Sequence, residues 1–118
     1  MCSYLEKLNA NNEYLDIHEL LNRLGGNVIL VNKFIGIFYK TFKDVATELE
    51  DKIKANQHEE AMALVHKLKV SSNNLSLTSI YDKSCQLEQG LKLGQETVID
   101  HEFKVLKEAL DGWFKIIE

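Results

Sequence analysis

The chain has 118 residues, of which 45% are hydrophobic and 27% charged, and its net charge is −4. These values are typical of one globular domain with its own core, so we expect a single domain over residues 1–118. The scattered lysines and the negative charge argue against nucleic-acid binding and against anionic membranes. Two cysteines give no disulfide framework, and no apolar run suits a signal peptide or a membrane span. A cytoplasmic location is expected.

Helical periodicity runs through almost the whole chain, which contains no proline. Asp16 is the predicted N-cap of a short helix that ends at Gly25 and Gly26, and Asn27 is the predicted cap of a long second helix that ends near Ala55. We expect the apolar stripe of this second helix to consist of Leu30, Phe34, Phe38, Phe42 (or Thr41), Val45, Leu49 and Ile53.

Three further helices are predicted in the second half of the chain. The third ends near Asn74, and its expected core face comprises Ala61, Leu64, Val65, Leu68, Ser72 and Leu75. The fourth, capped by Thr78 or Ser79, ends near Gly90. The fifth runs from Glu96 to Ile117, with Val98, Phe103, Leu106, Leu110, Trp113 and Ile117 inward. Short connections between long helices predict an all-α fold, an antiparallel four-helix bundle (up-down-up-down) with a short additional N-terminal helix.

His66 lies in the third predicted helix, on the side opposite to its core face. At about 100° per residue, Met62, Ala63 and Val70 surround it, and Lys69 lies one turn away. An apolar patch on an outward helix face is typical of a docking site. Histidine is partly unprotonated near neutral pH, and a neighbouring ammonium can stabilise an anion on the ring, so the pattern favours a nucleophile that accepts a phosphoryl group. A solvated surface histidine is the alternative.

The stretch HKLKVSSNNLS, from His66 to Ser76, resembles the signature of histidine-containing phosphotransfer (HPt) domains, which runs H-x-L-K-G-S-S-x-x-L-G. The segments LLNRLGGN and CQLEQGLKLG also resemble the flanks of this motif in the family, so the resemblance covers about residues 16–94. The fold it implies is a helical bundle. The chain departs from the signature at Val70, where the family has glycine, and at Ser76, which we expect a turn to accommodate easily.

The resemblance implies a role for each matching residue. His66 would be phosphorylated, and Lys69, with Lys67, would stabilise the phosphate. Glu88 would support Lys69 or the imidazole, unless it is a solvated glutamate. The residues expected to contact a partner are Met62, Ala63 and Val70.

The implied function is that of a phosphocarrier in a two-component phosphorelay, which takes the phosphoryl group from a receiver-domain aspartate and passes it to another receiver. The chain shows no ATP site, so it is not expected to act as an enzyme by itself. Response-regulator receiver domains are the expected partners, with a hybrid sensor histidine kinase as a further candidate, and the chain is expected to be a monomer.

No cofactor of the chain's own is expected, and the receiver would supply Mg²⁺. His18, His58 and His101 lack the spacing of a helical metal site, so no metal is predicted. The side chain of Val70 leans toward His66 and crowds an incoming partner. Val70 therefore supports an alternative function, an HPt-like docking or scaffold module that binds receivers without phosphotransfer.

Overall fold

The described chain folds into six α-helices. The computed structural model describes residues 17–118, except for the side chain of Ile17, and predictions that involve Cys2 or Asp16 lie outside these residues. The helices are α1 Ile17–Arg23, α2 Val28–Phe42, α3 Val45–Lys54, α4 His58–Asn74, α5 Thr78–Leu93 and α6 Glu96–Ile117. Every regular element in this part of the chain is helical, which confirms the all-α class.

The predicted cap of α2 is confirmed, but its predicted length is wrong. The Asn27 side chain accepts a hydrogen bond from the backbone N–H of Leu30 at 3.0 Å, which satisfies one of the free donors of the first helical turn. The helix then ends at Phe42, and α3 starts at Val45 after a turn at residues 43–44. Asp44 is the N-cap residue of α3. The predicted long helix is therefore interrupted just before Asp44, a residue type that is common at helix starts.

The core face of α2 differs from the predicted stripe. Val31 and Ile35 are fully buried, whereas the predicted Leu30 and Phe34 are only partly covered or exposed. A strict four-residue spacing drifts by about 40° at each step around an α-helix. The observed core residues, Val31, Ile35, Phe38 and Phe42, alternate steps of four and three and therefore stay on one face.

An aromatic cluster joins α2 to α6. The rings of Phe38 and Trp113 meet edge to face with centroids 5.1 Å apart, and Phe38 also packs on Phe42 at 4.9 Å. Phe114 extends the cluster from the ring of Trp113. Trp113 is fully buried, so this cluster anchors the C-terminal helix to the first half of the chain.

The most extensive helix–helix contacts are those of α5 with α4 and with α6. Ser72 and Ser84 are completely buried, and each hydroxyl donates to a backbone carbonyl of its own helix. Small residues at these positions let α4 and α5 approach closely, and Ser72 belongs to the predicted core face of α4. Gly90 is also buried, and a Cβ atom there would lie 3.1 Å from Val98 Cγ1, so glycine allows α6 to approach closely at this position.

Helix α5 departs from its prediction at both ends. Leu77, and not Thr78 or Ser79, is its N-cap residue, and no side-chain hydrogen bond caps it. The helix passes Gly90 and ends at Leu93, where Gly94 takes the left-handed conformation that favours glycine. The predicted bounds of α6, in contrast, are confirmed. None of the helices between residues 17 and 118 has the length and apolar character that crossing a bilayer requires.

Ser76, in the turn between α4 and α5, has a φ of 55°. It is 3% exposed, and its hydroxyl lacks a hydrogen-bond partner among the described residues. Serine is therefore not easily accommodated here, contrary to our expectation. Glycine adopts this conformation without the steric cost of a Cβ atom.

We expect Ser76→Gly to raise the free energy of unfolding by roughly 1 kcal/mol, because relief of backbone strain and loss of an unpaired buried hydroxyl outweigh the added chain flexibility. Urea denaturation measures the change. The control, Gln86→Gly at an exposed helical position, is expected to lower stability by about 0.5–1 kcal/mol. A Ser76→Gly protein less stable than the wild type would contradict the explanation.

Candidate functional site

His66 lies in the middle of α4 on its solvent-facing side. Its side chain is 60% exposed, whereas Val65 and Leu68 of the same helix are completely buried. The opposite direction of these side chains follows from the helical repeat of about 3.6 residues. The imidazole is therefore accessible to another molecule.

Glu88 of α5 contacts both predicted functional side chains of α4. Its Oε2 atom lies 3.0 Å from Nδ1 of His66, and its Oε1 atom accepts a hydrogen bond of 2.7 Å from the Lys69 ammonium. The side chains of Glu88 and Lys69 are 25% and 23% exposed. One carboxylate thus connects the exposed imidazole to a largely covered cation.

This contact assigns different tasks to the two ring nitrogens of His66. An ionised carboxylate can only accept hydrogen bonds, so Nδ1 must carry the proton that it donates to Glu88. In the neutral ring, Nε2 then holds the lone pair. Because Nδ1 is the atom that Glu88 engages, Nε2 is the ring nitrogen left to act as a nucleophile.

The charges of Glu88 and Lys69 stabilise each other. Partial burial favours the neutral acid, but the hydrogen bonds that Glu88 accepts from Lys69 and His66 outweigh this effect and hold the pKa of Glu88 below its ordinary value. The hydrogen bond to Glu88 raises the pKa of Lys69, against the smaller effect of partial burial. The pair consequently stays charged over a wide pH range.

The two lysines predicted to stabilise a phosphate have different surroundings. Lys69 donates to Glu88, and an ammonium has two further N–H groups that can reach an anion. Lys67 is exposed, and no described acidic residue pairs with it. Lys69 is thus a positioned cation, whereas Lys67 is a cation on the exposed surface.

The predicted partner-contact residues do not share one environment. Ala63 is exposed and Val70 is 46% exposed, so both border His66 as apolar surface. Met62 is partly buried and packs against the core, so the prediction that it points away from the core is wrong. A long flexible thioether at the edge of a helix face can turn inward and cover core residues.

The α2–α4 groove was not predicted from the sequence. It has a volume of about 330 Å³, and Phe34, Ile37 and Thr41 of α2 and Ser71 and Asn74 of α4 contribute to its lining. With the observed phase of α2, Phe34 and Ile37 turn away from the core. The steps of four and three residues between Val31, Ile35, Phe38 and Phe42 are the sequence signal that could have placed Phe34 and Ile37 outside the core.

The end of α1 is tied to the C-terminal end of α4, beside this groove. Arg23 donates a hydrogen bond of 2.9 Å to the backbone carbonyl of Asn73 and forms an ion pair of 2.7 Å with Glu19. Leu24 follows directly and lines the groove. The short first helix is therefore held at one end of the α2–α4 groove.

Within residues 17–118, no group of three or more side chains is arranged to hold a metal ion. Comparison of the chain with protein-family models, with curated proteins and with solved structures found no match. Function is therefore inferred from the geometry around His66.

The pKa of Glu88 is lower in the folded state than in the unfolded chain, so its ionised carboxylate stabilises the fold. This stabilisation is fully present above the pKa that Glu88 has in the unfolded chain, and it is lost as the pH falls through the pKa of Glu88 in the folded state. In a ¹³C NMR titration we expect the Glu88 carboxyl to protonate below the ordinary range of glutamate. In Lys69→Met its midpoint should move upward, because the largest stabilising partner is gone. A wild-type midpoint within or above the ordinary range would contradict the described ion pair.

Proposed function

We propose that this protein is an HPt-type phosphocarrier of a two-component phosphorelay. It accepts a phosphoryl group on His66 from a receiver-domain aspartate and passes it to another receiver. The observation that carries this proposal is the contact between Glu88 and Nδ1 of an imidazole whose side chain is 60% exposed, which leaves Nε2 as the available nucleophile. The HPt-like stretch from His66 to Ser76 adds independent support.

The finer architecture belongs to the same proposal. Helices α2 and α3 form one interrupted arm, and this arm, α4, α5 and α6 form an antiparallel four-helix bundle in up-down-up-down order. Helix α1 is then the short additional helix, and residues 1–118 form a single domain. The short turns between α3 and α4, α4 and α5, and α5 and α6 support this arrangement.

The proposed transfer is an in-line displacement at phosphorus. The Nε2 lone pair attacks, an N–P bond forms, and the P–O bond to the receiver aspartate breaks, so that the aspartate leaves as a carboxylate. The ring keeps its Nδ1 proton and becomes cationic. Glu88 balances this developing charge through the hydrogen bond at Nδ1.

Lys69 and Lys67 supply positive charge to the transferred group. Lys69 already lies in the His66–Glu88 cluster, and its remaining N–H groups are directed by the Glu88 contact. Phosphoryl transfer depends mainly on positioning and charge stabilisation, so two cations suit this role. Magnesium would come from the receiver, and the chain acts as a carrier without a cofactor or an ATP site of its own.

The partners of the proposed carrier are response-regulator receiver domains, and a hybrid sensor histidine kinase is a further candidate. Such contacts are transient, and the protein works as a cytoplasmic monomer. Ala63 and Val70 border the reactive ring and contact the visiting receiver. Met62 contributes only the part of its side chain that the core leaves uncovered.

A second candidate function is an HPt-like docking module that binds receivers without phosphotransfer. Val70 favours it, because its half-exposed side chain stands one turn from His66, where the family signature has glycine. Side chains on a helix lean toward its N-terminus, so the valine methyl groups narrow the approach to the ring.

Transfer of label from phosphorylated receivers separates the two functions. We expect the wild-type chain to gain acid-labile, base-stable phosphate from at least one of a panel of receivers, and His66→Gln to gain none, because the nucleophile is absent. His101→Gln, which removes another exposed histidine, is the control and should behave as the wild type. Receivers that bind the wild-type chain without labelling it would favour the docking module.

A further inference from the structure

The segment of this acidic protein that contains α2 is free of acidic residues. Residues 23–43 contain Arg23, Lys33, Lys40 and Lys43 but no aspartate or glutamate, although the whole chain has a net charge of −4. The three lysines are exposed, and none forms an ion pair with a described residue. The outer side of α2 is therefore a local cationic surface.

The same side of α2 also exposes large apolar side chains. Ile29 is 84% exposed, and Ile37 and Phe34 are exposed farther along the helix. Lys33 precedes Ile37 by four residues and Lys40 follows it by three, so both lysines neighbour it on the helix surface. Ile37 lines the α2–α4 groove, and the cations therefore lie along the rim of an apolar depression.

On α4, the α2–α4 groove lies on the C-terminal side of His66. Ser71 and Asn74 follow His66 by five and eight residues, which corresponds to about 7.5 and 12 Å along the helix axis. Around the axis, Asn74 lies about 80° from His66 and Ser71 about 140°. A partner that covers about 800 Å² around Nε2 is large enough to reach the groove as well.

We infer that the α2–α4 groove receives an apolar side chain from an acidic amphipathic helix of the partner receiver, whose carboxylates face the cationic rim at Lys33 and Lys40. This inference rests on the proposed function for the identity of the partner. Under this inference, the groove determines which receivers the protein binds, although it lies away from the atoms that react.

Charge and shape favour a protein helix over the other occupants. A second copy bound by two-fold symmetry would bring the cationic rim of one α2 helix against the same surface of the other. A bilayer surface does not fill a narrow depression of about 330 Å³, whereas a protruding leucine or phenylalanine side chain does. An acidic helical face complements both the apolar floor and the cations.

The test compares Ile37→Ser and the double variant Lys33→Glu/Lys40→Glu with two controls on α5, Leu93→Ser and Lys92→Glu, which alter an exposed apolar side chain and an exposed lysine elsewhere. Phosphorylation is measured with purified phosphorylated receivers and with phosphoramidate, a small donor that needs no docking.

We expect each groove variant to lower kcat/KM for transfer from the receiver by about tenfold or more, because buried apolar contact or charge attraction is lost. Labelling by phosphoramidate should stay at the wild-type rate, and both controls should behave as the wild type. In the charge-reversed variant the salt dependence of transfer should change sign, because salt then screens a repulsion in place of an attraction.

Other outcomes separate this inference from the proposed function. Transfer that needs His66 but is unchanged in both groove variants overturns the inference alone. If receivers bind without labelling the chain, and Ile37→Ser abolishes that binding, the result supports docking at the groove and overturns the proposed phosphotransfer. Absence of both binding and transfer overturns both. A last outcome would overturn the inference in favour of membrane binding. In it, the wild type sediments with vesicles containing phosphatidylglycerol, Ile37→Ser does not, and transfer from receivers is unchanged in the groove variants.

Discussion

The site depends on one shared carboxylate, that of Glu88. Its two oxygen atoms bind Nδ1 of His66 and the ammonium of Lys69, so it fixes the orientation of the ring, the position of its proton and the location of a cation at once. Partial burial raises the pKa of Glu88, and the hydrogen bonds from Lys69 and His66 more than offset this effect. A solvated histidine would have neither a defined ring plane nor a defined nucleophilic nitrogen.

The scaffold serves this contact by bringing α4 and α5 close together. The approach is allowed by the completely buried Ser72 and Ser84 and by the tight turn at Ser76. It places Glu88 beside Lys69, which lies about one helical turn before Ser72. The left-handed backbone of Ser76 is a local cost of that turn. On the other flank of α4, the α2–α4 groove leaves apolar surface exposed. His66 thus lies between a rigid supporting contact and an open surface.

Helical periodicity predicted the class of fold, the bounds of α6 and the outward direction of His66, because all three follow from the repeat of a single helix. The break at residues 43–44 was missed, since the apolar pattern continues across it. Met62 and the phase of α2 were also predicted wrongly, because flexible side chains and neighbouring helices decide which borderline residues are covered. Glu88 was suggested only by resemblance, since a contact between residues 22 positions apart on two different helices has no local signature.

The most direct measurement of the central contact is the tautomer of His66, read from long-range ¹H–¹⁵N NMR correlations at a pH where the ring is neutral. The account predicts that the proton resides on Nδ1 in the wild type, and that Glu88→Ala shifts the population toward the Nε2–H form. A wild-type ring protonated on Nε2, or a tautomer that does not change in Glu88→Ala, would contradict it.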